Sequence, residues 1–163
     1  MSERLITESS SADLRYELLE GPVPDFLRPL VWQLHSSVFP PQSPETFWLE
    51  ADQQRRLLTI LTWAGETLAA YKMGYERKPG HFYSWLGCVS ADFRRRGIAS
   101  DLMRRQHDWC LQNGFHTVRT QTRNQWRDML ILNLRHGFDI TGTFLNEAGS
   151  INIILEKKLN GPD

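Results

Sequence analysis

The segment Val89-Ser90-Ala91-Asp92-Phe93-Arg94-Arg95-Arg96-Gly97-Ile98-Ala99-Ser100 constrains this chain more than any other. An aromatic and apolar run ends at Val89, a short loop comes next, and a helical pattern opens near Gly97. Ile98, Leu102, Met103, Gln106, Trp109 and Cys110 mark one face of that helix, and Asn113-Gly114 closes it. The first turn of a helix has unpaired N–H groups and about half a positive charge. Small residues at 97, 99 and 100 let another group approach this backbone closely, and three arginines precede it. Such a strand-to-helix junction is an anion cradle, best matched to phosphate. It is neither a P-loop nor a dinucleotide-binding glycine turn, because neither glycine pattern is present. Taken without its surroundings, the same run is a solvated basic turn ahead of an ordinary helix.

The surroundings give it context. Apolar residues at spacings of three and four predict a helix over Asp25 to Val38, and Trp48 to Arg56 reads as a second, shorter one. Pro40-Pro41-Gln42-Ser43-Pro44 and Lys78-Pro79-Gly80 are loop signals too short to link domains. Leu57–Trp63 and Leu68–Tyr75 read as strands turning at Gly65-Glu66, and Phe82–Val89 as a buried strand. After the helix at 98 come a strand over Thr117–Thr122 and a helix over Arg127–His136 stopped by Gly137. Strands Phe138–Phe144 and Ile151–Leu155 end the pattern. This is a mixed α/β chain with a central strand–helix–strand–helix unit. At 163 residues it is expected to be one domain, 1–163, with 1–12 a flexible N-terminal segment.

Composition narrows the function classes. Nineteen basic residues cancel nineteen acidic ones, which argues against a nucleic-acid or membrane-surface partner. The sum conceals a division: residues 92–136 carry nine basic and four acidic residues, whereas 1–91 carry eight and eleven. The arginines are not interleaved with an aromatic stacking platform, so a nucleic-acid module is a poor fit. No apolar stretch is long enough to span a bilayer, and the first residues do not read as a signal peptide. Cys88 and Cys110 have no metal-ligand spacing and read as two reduced core thiols in a cytoplasmic protein, with no metal expected.

Arg94-x-x-Gly97-x-Ala99 after a strand resembles the Gln/Arg-x-x-Gly-x-Gly/Ala acyl-CoA pyrophosphate motif of the GNAT superfamily of N-acyltransferases. Downstream, Asn124, then Asp128-Met129-Leu130, then Leu132-Asn133-Leu134-Arg135-His136-Gly137-Phe138 is similar to the family's closing pattern, in the family's order and separation. The resemblance covers roughly Leu57 to Leu159. It implies a central, mixed but mostly antiparallel sheet of about six or seven strands with helices on both faces. It further implies transfer of an acetyl group from acetyl-CoA to a primary amine of a small molecule or peptide, by direct attack in a ternary complex. The strand Phe82–Val89 would splay from Thr117–Thr122 to admit the pantetheine arm. Backbone near Gly87 and Val89 would bond the arm, with the Gly87 N–H aimed at the thioester oxygen. Arg94, Arg95, Arg96, Gly97, Ile98, Ala99 and Ser100 would hold the pyrophosphate, mainly by main-chain N–H groups. Asn124 would touch the arm from the other side, or cap the 127–136 helix. Homodimers are common in the family, and no residue of this sequence marks an interface.

Two positions depart from the pattern. Many members carry a tyrosine where this chain has Asn133, and its hydroxyl protonates the departing thiolate. An amide cannot do so; Asn133 either hydrogen-bonds the sulfur or has no catalytic part. Where some members place a glutamate base, this chain has Tyr83, which lines the acceptor pocket, packs in the core or positions a water. Tyr83 and Trp85 are expected on the strand face that holds Gly87. His81 and Glu76 flank the same strand and are candidates to relay protons, with exposed loop positions as the plain alternative. Trp32, Trp63, Trp109 and Trp126 are expected in the core, while Trp48 and Trp85 are free to face the acceptor. Pro40–Thr46 is a candidate pocket wall, and Glu45, Glu50 and Asp52 are candidates to attract a cationic amine. A second functional reading is a non-catalytic acyl-CoA sensor, motivated by the missing tyrosine.

Overall fold

Leu5–Glu8 (β1), Leu14–Glu20 (β2), Leu58–Ala64 (β3), Thr67–Lys78 (β4), His81–Val89 (β5), Thr117–Arg123 (β6), Asp139–Leu145 (β7) and Ile151–Lys158 (β8) build one sheet. Its order in the computed structural model is β1-β2-β3-β4-β5-β6-β8-β7. The structure describes residues 5–8 and 13–159. Every neighbouring pair is antiparallel except β5 and β6. The expected mixed, mostly antiparallel sheet is thus present, and β1 extends it by an edge strand. Of the segment 1–12 for which flexibility was expected, 1–4 and 9–12 lie outside the described residues.

Helices Arg28–Ser36 (α1) and Pro44–Asp52 (α2) cover one face; Ile98–Gln112 (α3) and Arg127–Arg135 (α4) cover the other. The result is two cores. Val31, Leu34, Phe47 and Ala51 pack on Leu61, Tyr71 and Met73 on the first face. Ile98, Leu102, Met103 and Cys110 pack on Ile60, Ala70, Phe82 and Val118 on the second. Trp63 and Trp109 are buried as expected, but Trp126 is 40% exposed and outside the core. Cys88 and Cys110 are both free and buried.

Two helix starts differ from the periodicity, and prolines explain both. α1 begins at Arg28 rather than Asp25 because Pro29 sits in its first turn, where its fixed φ is favourable. α2 begins at Pro44, four residues before the expected Trp48. Ser43 caps it by accepting a hydrogen bond from the Thr46 N–H at 3.1 Å, so the Ser-Pro pair read as a loop is a helix start.

The register of β4 on β5 contains the detail that shapes the site. Met73 opposes Leu86, but Gly74 opposes Ser84, so Trp85 is an unopposed extra residue. This β-bulge breaks the alternation along β5. Trp85 and Leu86 both pack toward the α1–α2 layer, with Tyr75. Gly87 pairs with Lys72, and a Cβ at Gly87 would stand 3.5 Å from the Lys72 Cγ. Tyr83 pairs with Tyr75, their rings 5.4 Å apart. The expectation that Tyr83 and Trp85 share a face with Gly87 is therefore wrong: the bulge puts Gly87 on the opposite face.

Gly74 allows this bulge, because a Cβ there would stand 2.7 Å from the Tyr83 carbonyl oxygen and press into the Phe82 ring. Gly74→Ala is expected to cost about 1–3 kcal/mol of stability, read as a lower midpoint in urea unfolding. An unchanged midpoint would show that the strand pair yields without cost.

Candidate active site

β5 and β6 pair for only three residues, His81 with Thr117, Phe82 with Val118 and Tyr83 with Arg119. The Thr120 hydroxyl then donates to the Ser84 carbonyl at 2.9 Å, and past that point the strands part. The parted edge of β5 has no strand partner on this side, which leaves backbone polar groups for a ligand to satisfy. A small pocket of about 50 Å³ lies there, walled by Gly87, Cys88 and Val89 of β5, Lys72 of β4, Ala99 and Leu102 of α3, and Met129 and Leu132 of α4.

The junction after Val89 has the cradle geometry. A short 3-10 turn over Ala91–Phe93 leads to extended Arg94, then Arg95 at φ 64° and Gly97 at φ 76°. Gly97 occupies the N-cap position of α3 with open space around it. The first helical bond runs from the Asp101 N–H to the Gly97 carbonyl at 3.0 Å, so the N–H groups of Ile98, Ala99 and Ser100 precede it. Arg95 is a non-glycine residue in the left-handed region, a conformation costing about 1 kcal/mol that turns the chain to face the helix start.

The arginines divide their work. Arg94 Nε donates to the Val89 carbonyl at 3.3 Å. Arg96 donates to the Asp92 carbonyl at 3.3 Å and lies over the Phe93 ring. Both therefore brace the loop. Arg95 makes no side-chain bond among the described residues and is exposed. Ser100 Oγ sits 3.0 Å from His136 Nε2, which ties the start of α3 to the end of α4.

Asn124 is exposed in the turn after β6, and the N-cap position of α4 is Trp126, so Asn124 is not the cap. Asn133 is 4% exposed on the inner side of α4, without a side-chain hydrogen bond among the described residues. Burial and the neighbouring Tyr75 push the Tyr83 hydroxyl up to about 12, so at neutral pH it can donate a proton but not abstract one.

On the α1–α2 face lies a larger cavity of about 320 Å³, bounded by His35 of α1, Phe47 and Glu50 of α2, Phe39 to Gln42 between them, and Trp85 and Leu86. The loop expected to wall a pocket does so through Pro40, Pro41 and Gln42. Of the three acidic candidates only Glu50 lines it; Asp52 pairs with Arg28 at 2.7 Å, and Glu45 accepts from the Ser43 hydroxyl at 3.0 Å. Trp85 lines the cavity, while Trp48 is buried under the Arg28 guanidinium. His81 and Glu76 lie outside it: His81 stacks edge-on with His116, and Glu76 faces Arg55.

His35, absent from the sequence-based candidates, is held by a 2.6 Å hydrogen bond between its Nδ1 and the Tyr71 hydroxyl. Burial keeps its pKa below the ordinary histidine value, so the ring is neutral at pH 7. Its partner Tyr71 is fully buried and held protonated by the same cause.

Two openings thus lie on opposite faces of one sheet, on either side of adjacent residues of β5, and the smaller one leads to a helix N-terminus. The model of the acetyltransferase (GNAT) family matches residues 25–138, and the chain belongs to that family, an acyltransferase class. No curated protein matches the chain. Solved structures share the fold at low identity. The ribosomal-protein-S18-alanine N-acetyltransferase of Escherichia coli superposes with a TM-score of 0.72 at 17% identity, over 90% of this chain and 96% of that one. An aminoglycoside 6'-acetyltransferase type Ii gives 0.76 at 14%, over 90% and 99%. Arabidopsis thaliana Naa50, in complex with the bisubstrate analogue CoA-Ac-MVNAL, gives 0.70 at 19%, over 86% and 97%.

Gly97→Glu is expected to remove coenzyme A binding in isothermal titration while leaving the circular dichroism spectrum intact, since it adds a carboxylate at the helix start. Gly97→Ala adds only backbone strain of about 1 kcal/mol and should bind. Equal affinity in the glutamate variant would refute the cradle.

Proposed function

We propose that this acetyltransferase moves an acetyl group from acetyl-CoA to a primary amine by direct attack in a ternary complex. The observation that carries this reading is the adjacency of Leu86, in the wall of the larger cavity, and Gly87, in the wall of the small pocket. A donor in the slot and an acceptor in the cavity would meet across one peptide unit. Positioning two reactants in this way can supply about 7–11 kcal/mol of a barrier.

On this reading the N–H groups of Ile98, Ala99 and Ser100 hold the pyrophosphate, with Arg95 as the free side-chain cation and Arg94, Arg96 and Gly97 shaping the loop. The backbone of Gly87 and Val89 bonds the pantetheine arm, and Gly87 donates to the thioester oxygen. Asn124 flanks the arm from the far wall, and Asn133 hydrogen-bonds the sulfur. Tyr83 orients the acceptor as a hydroxyl donor. The reading calls on no metal, and no cluster of three ligating side chains occurs among the described residues.

The acceptor cavity is aromatic, through Phe39, Phe47 and Trp85, with the Glu50 carboxylate and the His35 ring as polar handles. That lining suits an amine attached to an apolar group, on a small molecule or a peptide N-terminus, with the ammonium drawn in by Glu50. Two free buried thiols fit a reducing cytoplasm, and no helix of the described residues is long and apolar enough to cross a membrane. A homodimer would form most readily at the β7–β8 edge, where Ile140, Phe144, Leu145 and Ile151 are exposed.

An acetyl-transfer screen over polyamines, aminoglycosides, amino acids and peptide N-termini, read by thiol release, tests the reading. Turnover of at least one amine is expected; coenzyme A binding without turnover on any would favour a sensor instead. With the best amine, Glu50→Gln should raise KM about tenfold with kcat nearly unchanged, since it removes only the charge that gathers the ammonium. An unchanged KM would remove Glu50 from the acceptor site.

A further inference from the structure

Lys72 is the one lysine in the wall of the small pocket, and its charge has no partner among the described residues. It stands in the middle of β4, between Ile60 of β3 and Gly87 of β5, neither of which is ionisable. Its side chain makes no hydrogen bond or ion pair among the described residues. The ionisable groups facing it from the packed elements are Cys110 and His107 of α3, His136 at the end of α4, and, beyond them, Lys157 of β8. None of these supplies a negative charge at neutral pH. Burial pushes the Cys110 thiol up to about 12 and the His107 ring down to about 3, so both are neutral. Near them, Gln106 is fully buried with both amide atoms unbonded, as is His107 Nε2.

A partly buried cation without a counter-charge is poorly solvated and is stabilised by an anion that arrives to meet it. Thioester aminolysis generates one such anion, the thiolate. When the acceptor nitrogen attacks, its bond to the carbonyl carbon forms and the carbon–sulfur bond breaks. The electron pair of that bond goes to sulfur, beside Gly87. Asn133 has no acidic proton to give it. We infer that Lys72 is the group that meets the departing thiolate of coenzyme A, donating its ammonium proton to the sulfur. The amide nitrogen sheds its own proton to solvent, and Lys72 regains one from solvent, so acetyl-CoA and amine become free coenzyme A and acetamide in balance. This inference rests on the acetyltransferase reading and deepens it.

The acidity is matched to the task. Burial brings the Lys72 ammonium down to about 8, close to a thiol near 8.5, so proton transfer between them is nearly even. A lysine at its ordinary value would hold its proton too tightly. The ammonium is present below about pH 8 and lost above it, so turnover should fall on the alkaline side.

The test compares Lys72→Met and Lys72→Arg with the native protein. Lys72→Met is expected to lower kcat about 10²-fold with little change in the KM for acetyl-CoA, and to abolish the alkaline fall in kcat. Binding gives an independent readout. The native protein should prefer coenzyme A over desulfo-coenzyme A by about tenfold or more, and lower the bound thiol's pKa, read from thiolate ultraviolet absorbance. Lys72→Met should lose both. Lys72→Arg keeps the charge but cannot release a proton, so it should retain the binding preference with a low kcat. It also decides the matter should the methionine variant not fold. Native-like turnover in Lys72→Met, or reduced turnover with the desulfo preference intact, overturns the inference. If the native protein binds no coenzyme A and acetylates no amine, the acetyltransferase reading itself is what fails.

Discussion

The site depends on where β5 stops pairing with β6. A parallel pair needs a crossover, here α3, and that crossover leaves β5 at Val89 and returns at Thr117. Three paired residues at the His81–Tyr83 end anchor the two strands, and beyond them β6 pairs with β8 alone. β5 stays in place after it parts from β6 because its other edge is paired with β4 along its length, apart from the bulge. The slot is thus a stretch of unpaired strand edge inside the sheet, apart from its outer edges at β1 and β7. α3 begins at the far end of that slot, so its free N–H groups and the unpaired strand edge form one continuous polar track. An extended ligand with an anionic end is the shape that satisfies both.

The strand-to-helix junction at the start of α3 was legible in the sequence because it is encoded locally. Gly97, Ala99 and the arginines sit within one turn of a strand-to-helix junction, and their backbone geometry does not depend on distant contacts. Gly114 and Gly137 likewise mark helix ends through their left-handed φ of 84° and 87°. The cavity on the α1–α2 face was legible only in pieces: Pro40–Thr46, Glu50 and Trp85 stood among the candidates, and His35 did not. His35 and Glu50 come from helices separated by a proline-rich loop, and only tertiary packing brings them opposite Trp85. The bulge at Trp85 is hidden for a further reason: Phe82-Tyr83-Ser84-Trp85-Leu86 is aromatic or apolar almost throughout, so a skipped residue leaves no break in the pattern. Lys72 did leave a signal. It lies in register with Ala70 and Gly74, both buried, and a lysine on the inward face of a strand asks for an explanation.

The neutral total charge resolves into fixed and conditional parts. Arg94 and Arg96 spend hydrogen bonds on the carbonyls of Val89 and Asp92, so their charges are held in place before any ligand arrives. A cradle built this way reorganises little on binding, which is where preorganised electrostatics gain over water. Arg119, by contrast, is matched within the sheet by Glu156 at 2.7 Å and contributes little field to the slot. The excess of basic residues over 92–136 therefore overstates the free charge; what counts is how few of those residues are left unpaired and where they stand.

Burial sets the remaining electrostatics. It lowers His35, His107 and His136 and raises Cys88 and Cys110, so at neutral pH these groups on both faces of β5 are uncharged and Lys72 stands apart from them. The two faces then differ in kind. The α1–α2 face offers a neutral imidazole and one carboxylate, which suits the arrival of a cation. The α3–α4 face offers the weakened ammonium of Lys72 and, beyond it, that of Lys157, among neutral polar groups, which suits an anion. The single strand between them carries, on adjacent residues, the wall of each. Strand alternation alone turns Leu86 and Gly87 to opposite sides of the sheet; the bulge at Trp85 puts Trp85 and Leu86 on the same side, so two consecutive side chains of β5 wall the larger cavity while Gly87 walls the small pocket.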